Sequence, residues 1–473
     1  MDRRSQALKK EGKNRELYFI GIGGSGMCPL AILAAKSGFK VSGIDQQHSK
    51  NINRLKNENI PVIIGSSSLS SCFNGSVIVS SAIKPSHSDL ILASKRNLTI
   101  MHRSDLLNQL MKLKLPITVA GTHGKTSTTA LIAHLLRCFG EDPDAFIGAE
   151  IQDTQKSWMK GSGPHFVAEA DESDGSFLKY KPQIGVLTNI DNDHLDFYGS
   201  SEKILEAFSS YVKNISSNGF AIIGTNQQTC KEIFDSTTIN KISFGTSSDA
   251  DLYACNISSN GPHISFDLIV EGEKHSCCYQ AFGRHNILNA LAAIATLKAC
   301  NKPVSETVKY LSSFPGVARR LCVILDEPNF TIIDDYAHNP GKISASINAI
   351  RASWPSSYLI VIFQPHRYSR LTTMYKEFTD SFTEACHVFV TDIFAAGEAP
   401  ISKFTPKALA YDIAVRSQVK TSIFESIDQI EVLQKKTKKK NIVILTVGAG
   451  NISNIAYQIK EKFLAQHKQN FSS

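Results

Sequence analysis

Two adjacent residues, Lys125 and Thr126, are of the types that hold a nucleotide triphosphate. They follow the turn Gly121-Thr122-His123-Gly124, which gives the short pattern G-x-x-G-K-T; Val119 stands where the longer phosphate-loop pattern has its first glycine. In such a loop the backbone N–H groups attract phosphates, the lysine reaches them, and the threonine hydroxyl ligates Mg²⁺. Gly-Lys-Thr is common by chance, so this chemistry depends on the elements around it.

A strand and a helix must flank the turn if it is to bind phosphate. Residues 117–119 are apolar or β-branched and indicate the end of a buried strand. After the turn, apolar residues recur at helical spacing: Leu131, Ile132, Leu135, Leu136 and Phe139. The order of strand, turn and helix favours a phosphate-binding loop over a surface turn.

Acidic residues follow a later predicted strand and could supply a metal site. The strand 165–168 ends in Glu169-Ala170-Asp171-Glu172-Ser173-Asp174. Mg²⁺ takes hard oxygen ligands beside phosphates, so we favour a metal role for Glu169 over an acidic solvated turn. His194 follows the next predicted strand, 184–190, and a lone histidine there is more often structural.

A second glycine turn lies near the start of the chain. Gly21, Gly23 and Gly26 fit G-x-G-x-x-G after the strand 17–20, and Asp45 ends the next strand. Taken alone, this pattern favours an NAD-dependent enzyme. The glycines indicate only that backbone approaches a pyrophosphate, however, and a UDP group also has a pyrophosphate and a ribose.

Four further predicted strands end in polar runs that begin at Asp334, Gln364, Thr391 and Gly448. Strand ends of this kind predict a second Rossmann-like sheet with a binding edge. We therefore expect an α/β fold in three domains. These are a Rossmann-like domain at 1–115, a central P-loop ATPase-like mixed α/β domain at 116–325, and a Rossmann-like domain at 326–473.

Composition excludes several classes of protein. None of the apolar runs in the 473 residues approaches the ~18 residues of a membrane span, and the polar, basic start predicts a loose arm and no secretory signal. The net charge of +8 suits anionic substrates. The basic run 435–440 is interpreted as a solvated loop, not a nucleic-acid patch. Ten cysteines without metal-site spacing indicate free thiols in a reducing, cytoplasmic setting.

A series of short motifs resembles the Mur ligases of bacterial cell-wall synthesis over nearly the whole chain. In order they are GIGGSGM, AGTHGKTSTT, EADESDGSFL, TNIDNDHLDFY, GRHNILNALAA, GVARR, DDYAHNP, QPHRYSR, DIFAAGE and GAGN. EADESD and QPHRYSR are similar to the alanine-adding members. The resemblance implies an ATP-dependent ligase that joins L-alanine to the carboxylate of UDP-N-acetylmuramate, with ATP and Mg²⁺ as cofactors.

The resemblance also implies roles for particular residues. The expected UDP-sugar contacts are Gly21, Gly23, Gly24, Ser25, Gly26, Asp45, Ser80, Ser81 and Arg103. The expected ATP contacts are Gly121, Thr122, His123, Gly124, Lys125, Thr126, Ser127, His285, Asn286, Asn289, Arg320 (or its neighbour Arg319) and Asp335. Thr126 and Glu169 would hold one Mg²⁺ ion and His194 a second, although imidazole is not the ligand that physics favours for magnesium.

For the amino-acid site the resemblance implies Tyr336, His338, His366, Arg367 and Arg370, and it makes Lys125, His194, Arg367 and Arg370 the catalytic set. Two positions depart from the usual DDYGHHP motif, namely Ala337 and Asn339, and GAGN stands where GAGD is usual. Several relatives carry a carbamylated lysine. The position of that lysine aligns about equally well with Lys213 and Val212 of this chain, so we do not assign the modification.

The implied chemistry is activation of a carboxylate, because oxide is too poor a leaving group for direct attack by an amine. ATP would convert the muramoyl carboxylate to an acyl phosphate, which the amine of L-alanine then attacks. Three rivals stay open: a murein peptide ligase that joins a ready-made peptide to the same sugar, an NAD-dependent dehydrogenase, and a P-loop switch protein. The residue that deprotonates the amine and the oligomeric state, monomer or dimer, are not determined by the sequence.

Overall fold

The computed structural model describes residues 16–437 and 441–470. Nearly all of the predicted N-terminal arm (1–15) and residues 438–440 of the basic run lie outside the described residues. The described chain forms three β-sheets with helices between their strands, which confirms the predicted α/β class. Within the described residues, no helix combines the length and apolar character needed to cross a bilayer.

The first sheet is parallel, and its strand order β3-β2-β1-β4-β5 is that of a Rossmann half. Its strands are β1 (Glu16–Ile20), β2 (Lys40–Asp45), β3 (Val62–Ile64), β4 (Ser76–Val79) and β5 (Thr99–His102). The helices are α1 (Met27–Lys36), α2 (Lys50–Asn57), α3 (Ser88–Lys95) and α4 (Arg103–Met111). Helix α4 begins with a capping box. The His102 side chain accepts a hydrogen bond from a backbone N–H of the first turn, and the Asp105 carboxylate accepts one from the His102 N–H. This fixes the start of the helix at Arg103.

The second sheet is mixed and has ten strands in the order β15-β14-β13-β12-β11-β10-β6-β9-β7-β8. The strands are β6 (Leu115–Ala120), β7 (Asp144–Phe146), β8 (Trp158–Met159), β9 (His165–Glu169), β10 (Ile184–Leu187), β11 (Phe220–Gly224), β12 (Asn240–Gly245), β13 (Leu252–Asn260), β14 (His263–Val270) and β15 (Glu273–Gln280). The helices are α5 (Lys125–Cys138), α6 (Leu195–Tyr198), α7 (Ser201–Lys213), α8 (Gln228–Ser236), α9 (Arg284–Ala299) and α10 (Val304–Tyr310), with 3₁₀ turns at Ser176–Lys179 and Leu311–Ser313.

The register of this sheet brings three loops to one edge. In the parallel pairs, Val119 lies opposite Glu169 and Ala120 opposite Leu187. The strands β6, β9 and β10 therefore end side by side. The phosphate loop, the acidic turn and the segment that leads to His194 all leave the sheet at this carboxyl edge, where open α/β sheets bind ligands.

The third sheet has the order β16-β17-β21-β18-β19-β20, with β16 antiparallel and the other pairs parallel. The strands are β16 (Cys322–Glu327), β17 (Phe330–Asp335), β18 (Tyr358–Phe363), β19 (His387–Val390), β20 (Lys420–Ile423) and β21 (Ile442–Val447). The helices are α11 (Pro340–Ser353), α12 (Tyr368–Thr379), α13 (Pro406–Arg416), α14 (Asp428–Thr437) and α15 (Ser453–Asn470). Strand β18, an almost unbroken apolar run, is buried along nearly its whole length, as expected for a parallel strand covered on both faces.

The chain divides into two compact units. The first contains the residues up to Cys255 with Leu268–His275 and Leu288–Phe314, and the second contains Asn256–Asp267, Ser276–Ile287 and the chain from Pro315 onward. The first sheet and strands β6–β12 belong to the first unit, and the third sheet belongs to the second. The domain boundaries expected at 115/116 and 325/326 stay a prediction.

Candidate active site

The phosphate loop begins where β6 ends and closes against its neighbours. Gly121 and Gly124 have φ angles of +129° and +86°, which residues with a Cβ rarely adopt. A Cβ at Gly121 would lie 2.1 Å from the Thr188 hydroxyl, and one at Gly124 would lie 2.3 Å from Asn289 Oδ1. The predicted ATP-site residue Asn289 is thus packed beneath the loop, where it also accepts a hydrogen bond from Thr128 at 3.2 Å.

Lys125 is held by an acid that the sequence analysis did not assign. Its Nζ lies 2.8 Å from each carboxylate oxygen of Glu172 and donates to the Gly121 carbonyl at 2.7 Å. Glu172 is 2% exposed, and burial raises the pKa of its carboxyl group while the Lys125 charge opposes that shift. An isolated buried carboxylate is costly, so Lys125 serves here as its counter-charge. The sequence signal for Glu172 is its place among four acids at a strand end, which does not distinguish it from the other three.

Thr126 and Glu169 are also brought together. The Thr126 hydroxyl donates to the Glu169 carboxylate at 2.9 Å, and the Gly148 N–H donates to the same oxygen at 3.0 Å. Hydroxyl and carboxylate oxygens beside a phosphate loop are the donor types that Mg²⁺ prefers, so these residues fit the ion. Among the described residues, no group of three or more His, Cys, Asp or Glu side chains is arranged to hold a metal; a magnesium site here would be completed by phosphate and water oxygens.

His194 lies at the edge of the same group. Its Nε2 is 3.9 Å from Glu172 Oε1, and its backbone has a φ of +55°, an uncommon conformation for a residue with a side chain. The His194 N–H donates to Asp193 Oδ1 at 2.9 Å. Local strain of this kind is most often maintained at functional sites. His194 therefore lies beside the Lys125–Glu172 pair, whereas Thr126 and Glu169 bond each other. The metal roles of the three residues stay a prediction.

The upstream glycine turn is braced by Asp45. Oδ2 of Asp45 accepts a hydrogen bond from the Gly23 N–H at 2.8 Å, and the Asn51 side chain donates to the Gly23 carbonyl at 2.8 Å. Asp45 was expected to contact the UDP group; in the structure its carboxylate bonds the turn itself. Asn51, which the sequence analysis missed, also stabilises this turn, through its hydrogen bond to the Gly23 carbonyl.

The remaining predicted UDP-sugar residues gather beside that turn. Gly24 and Ser25 are exposed on it, and Ser80 and Ser81 follow strand β4. A Cβ at Gly26 would lie 2.8 Å from the Arg103 guanidinium, so Arg103 covers this glycine. The turn, the serines and Arg103 thus form one polar cluster at the carboxyl edge of the first sheet.

In the second unit, four predicted amino-acid-site residues form a chain of contacts. The Tyr336 and His338 rings lie 5.0 Å apart, and the His338 and His366 rings lie 6.2 Å apart. Arg370 Nη1 lies 3.2 Å from His366 Nδ1. The guanidinium carbons of Arg319 and Arg320 lie 4.8 and 5.6 Å from the Tyr336 ring centroid, within cation–π range.

Arg367 occupies the N-cap position of α12 with a φ of +69°. The loop before it pairs with Phe394, because the Arg367 N–H donates to the Phe394 carbonyl at 2.9 Å and the Phe394 ring stacks on His366 at 5.4 Å. Glu398 accepts hydrogen bonds from the Ser369 N–H and hydroxyl at 2.9 and 2.6 Å. The DIFAAGE motif therefore holds the loop that presents His366 and Arg367.

Burial sets the protonation of this amino-acid cluster. It lowers the pKa of His338 to about 4, although the hydrogen bond to the Tyr336 carbonyl at 2.8 Å opposes the shift. The pKa of His366 is also lowered, first by burial and then by Arg370. Both imidazoles are consequently neutral at pH 7. Neutral rings leave the arginines as the positive groups of the cluster, which suits a carboxylate ligand.

Asp335 makes structural contacts, and its expected contact with ATP stays a prediction. The carboxylate is 7% exposed, and it accepts hydrogen bonds from the Leu321 N–H at 3.1 Å and from the Ser346 hydroxyl. It therefore anchors the segment that follows Arg320. Two further predicted ATP-site residues, His285 and Asn286, lie at the start of α9. The Asn286 amide nitrogen is 3.2 Å from His285 Nε2 and donates to the Phe282 carbonyl at 2.8 Å.

Comparisons with known proteins agree along the chain. Residues 16–115 match the model of the Mur ligase family, catalytic domain; residues 119–297 match the Mur ligase middle domain; and residues 319–450 match the Mur ligase, glutamate ligase domain. UDP-N-acetylmuramate–L-alanine ligase from Endomicrobium trichonymphae is 36% identical over 93% of this chain and 97% of its own length. The same-named protein of Geobacter sulfurreducens is 35% identical over 96% and 98%.

Solved structures are similar as well. The crystal structure of UDP-N-acetylmuramate-alanine ligase MurC from Thermotoga maritima superposes with a TM-score of 0.79 at 25% identity, covering 95% of this chain and 99% of that one. A murein peptide ligase from Psychrobacter arcticus shares the fold with a TM-score of 0.66 at 23% identity, over 94% and 98%. With full-length relatives above 30% identity and all three domain models matched in order, the chain belongs to the Mur ligase family.

Proposed function

We propose that this chain is an ATP-dependent ligase that joins L-alanine to the carboxylate of UDP-N-acetylmuramate, giving UDP-N-acetylmuramoyl-L-alanine, ADP and phosphate. The reaction supplies a peptidoglycan precursor and would take place in the cytoplasm. The observation that carries the proposal is the grouping of Lys125, Thr126, Glu169 and Glu172 at one sheet edge, in a chain whose full-length relatives bear the name of that ligase.

The proposal divides the substrates among three domains, 1–115, 116–325 and 326–473. The first glycine turn with Ser80, Ser81 and Arg103 receives the UDP sugar, and the phosphate loop with Asn289 receives ATP. The matches to separate family models at 16–115, 119–297 and 319–450 support this division. Mg²⁺ would be held by Thr126 and Glu169, with His194 near a second ion, and it would neutralise charge on the phosphates.

The first chemical step forms a bond between a carboxylate oxygen of the muramoyl group and the γ-phosphorus of ATP, and ADP leaves. Lys125 stabilises the charge on the transferring phosphoryl group. To do so, its ammonium group must break the ion pair with Glu172 or contact Glu172 and the phosphoryl group at once. Since little covalent chemistry falls to the protein in phosphoryl transfer, positioning and electrostatics are its main contribution.

In the second step the amine of L-alanine attacks the acyl carbon, inorganic phosphate leaves, and the amine gives up a proton. Arg367 and Arg370 bind the alanine carboxylate, as two guanidinium groups beside neutral histidines can do. His338 donates its Nδ1–H to the Tyr336 carbonyl at 2.8 Å, which leaves Nε2 as an acceptor for an N–H of the incoming amine. Because the pKa of His338 is about 4, its Nε2 carries no proton at pH 7. His338 therefore orients the amine as a hydrogen-bond acceptor.

The second candidate is a murein peptide ligase, favoured by the structural similarity to the Psychrobacter arcticus protein. That similarity concerns the fold, whereas the relatives that are 34–36% identical carry the L-alanine ligase name. The deciding experiment measures ADP release with UDP-N-acetylmuramate and either L-alanine or L-Ala-γ-D-Glu-meso-diaminopimelate. We expect turnover with L-alanine and none without the UDP sugar. Turnover of UDP-N-acetylmuramate with the tripeptide but not with L-alanine would establish the second candidate. ADP release at the same rate with and without the UDP sugar would refute both.

A further inference from the structure

The acidic turn that supplies Glu169 and Glu172 has a second face. Asp174, two residues after Glu172, accepts a hydrogen bond from the Ser81 hydroxyl at 3.1 Å. The same oxygen lies 3.8 Å from His102 Nε2 and 3.9 Å from Arg103 Nη2. Its other oxygen accepts the Ser176 N–H at 3.0 Å. Asp174 thus joins the turn to residues that follow strands β4 and β5 of the first sheet.

Arg103 is held from two sides. Its Nη1 lies next to Gly26 of the first glycine turn, and Asp171 Oδ2 lies 3.6 Å from its Nη2. At 3.6 and 3.9 Å these pairs are ionic contacts and not hydrogen bonds. They orient the guanidinium and leave its N–H donors available for an oxyanion.

Asp174 is well suited to a fixed role. Its pKa is lowered, because hydrogen bonds from Ser176 and Ser81 and the charge of Arg103 outweigh the effect of burial, so it is ionised at neutral pH. Ser81, His102 and Asp174 are also the residue types of a hydrolytic triad. The carboxylate, however, faces the serine and the same histidine nitrogen that the serine approaches at 3.3 Å, so it does not orient His102 as a base.

We propose that Asp174, anchored by the Ser81 hydroxyl, is a positioning residue of the UDP-sugar site. From the turn that also carries the ATP-site acids, it fixes the Arg103 guanidinium for the pyrophosphate of that substrate. The inference rests on the proposed function, since it takes Arg103 as a UDP-sugar contact. It assigns the last acid of EADESD, which the ATP site does not use. It also means that part of the UDP-sugar site is supplied by the polypeptide segment of the central domain.

The test is titration of UDP-N-acetylmuramate into the full-length protein by calorimetry, without ATP. For Asp174→Ala we expect binding about tenfold weaker, the effect of losing an oriented charged hydrogen-bonding partner. ADP binding in the absence of the sugar should stay within about twofold, and kcat at saturating substrates should change far less than KM for the UDP sugar. Asp174→Asn keeps an acceptor for Ser81 but removes the charge that orients Arg103, and we expect an intermediate loss.

The matched control is Lys179→Ala. Lys179 pairs with Asp105 of α4 at 2.8 Å, so it also links this part of the chain to the first sheet. Its hydrogen bonds are to the side chains of Asp105 and Asn108, and not to Ser81 or Arg103. Equal loss in Asp174→Ala and Lys179→Ala would overturn the proposal in favour of simple docking, as would unchanged sugar binding in a folded Asp174→Ala. Failure of the wild-type protein to bind the UDP sugar would refute the proposed function instead.

Discussion

The Nζ atom of Lys125 lies 2.8 Å from both carboxylate oxygens of Glu172, a side chain that is 2% exposed. The phosphate-loop lysine is therefore neutralised by a buried acid of its own domain. An incoming triphosphate must compete with that acid, and the ion pair keeps the lysine side chain close to the loop until it does. Because either charge alone would be buried without a partner, removal of one side chain of the pair leaves the other as an uncompensated buried charge.

We expect Lys125→Ala to abolish ADP formation, with kcat lowered at least about 10³-fold, because it removes the principal cation of a phosphoryl-transfer site. UDP-N-acetylmuramate binding should survive, since the residues expected to contact the sugar belong to the first domain and the contacts of Asp174 do not involve Lys125. Calorimetry with the sugar and an ADP-release assay measure the two effects separately. Lys203→Ala, at an exposed position of α7, is the control and should resemble the wild type. Parallel loss of both functions in Lys125→Ala would contradict the division of substrates.

Gly148→Ala tests the metal assignment through a residue that the sequence analysis did not select. A Cβ at position 148 would lie 2.2 Å from Glu169 Oε2 and 3.0 Å from the Thr126 hydroxyl, so the carboxylate must move. We expect the Mg²⁺ concentration for half-maximal activity, at fixed ATP, to rise about tenfold or more. At Gly65 an added Cβ meets nothing within 4 Å, and Gly65→Ala should leave the Mg²⁺ requirement unchanged. An unaltered Mg²⁺ requirement in Gly148→Ala would argue against Glu169 as a ligand.

Arg370→Lys addresses the amino-acid site. Lysine keeps the charge but loses the planar fork that binds a carboxylate through two hydrogen bonds. We expect KM for L-alanine to rise about tenfold or more while KM for ATP stays within about twofold. Arg416→Lys is the control, because Arg416 lies on the neighbouring helix α13 and pairs with the exposed Asp380 at 2.8 Å. A larger effect on ATP than on alanine would remove Arg370 from this site.

His338→Gln tests whether the buried imidazole makes the thermal stability of the protein depend on pH. The pKa of His338 is lowered to about 4 from an ordinary 6.5, so between these values the unfolded chain binds more protons at this position than the folded one. Stability contributed here is present above pH 6.5 and is lost as pH falls towards 4. The wild type should therefore lose Tm between pH 6.5 and 4.5 more steeply than His338→Gln. Identical slopes in thermal melts would contradict the burial of a neutral imidazole at this position.

The sequence predicted the fold well because its strands are apolar runs that end in polar residues, and because glycine turns with fixed spacing follow β1 and β6. It could not predict Glu172 as the partner of Lys125, since four acids in six residues are equally suitable by type and only the turn geometry separates them. Asp335 illustrates the same limit. A carboxylate at a strand end is suited to a ligand, and only the structure shows that it also accepts hydrogen bonds from the Leu321 N–H and the Ser346 hydroxyl. Its contact with ATP stays a prediction.

The common direction of the parallel strands also has a practical consequence. The phosphate loop, the acidic turn and the segment that leads to His194 leave the central sheet at its carboxyl edge. The turn between α7 and β11 enters β11 at the opposite edge and is remote from these residues. Its residues Ser217 and Asn218 are exposed. A fluorescent tag or a surface anchor inserted between them should leave catalysis intact, which would allow the protein to be immobilised in a defined orientation for single-molecule or flow-based assays.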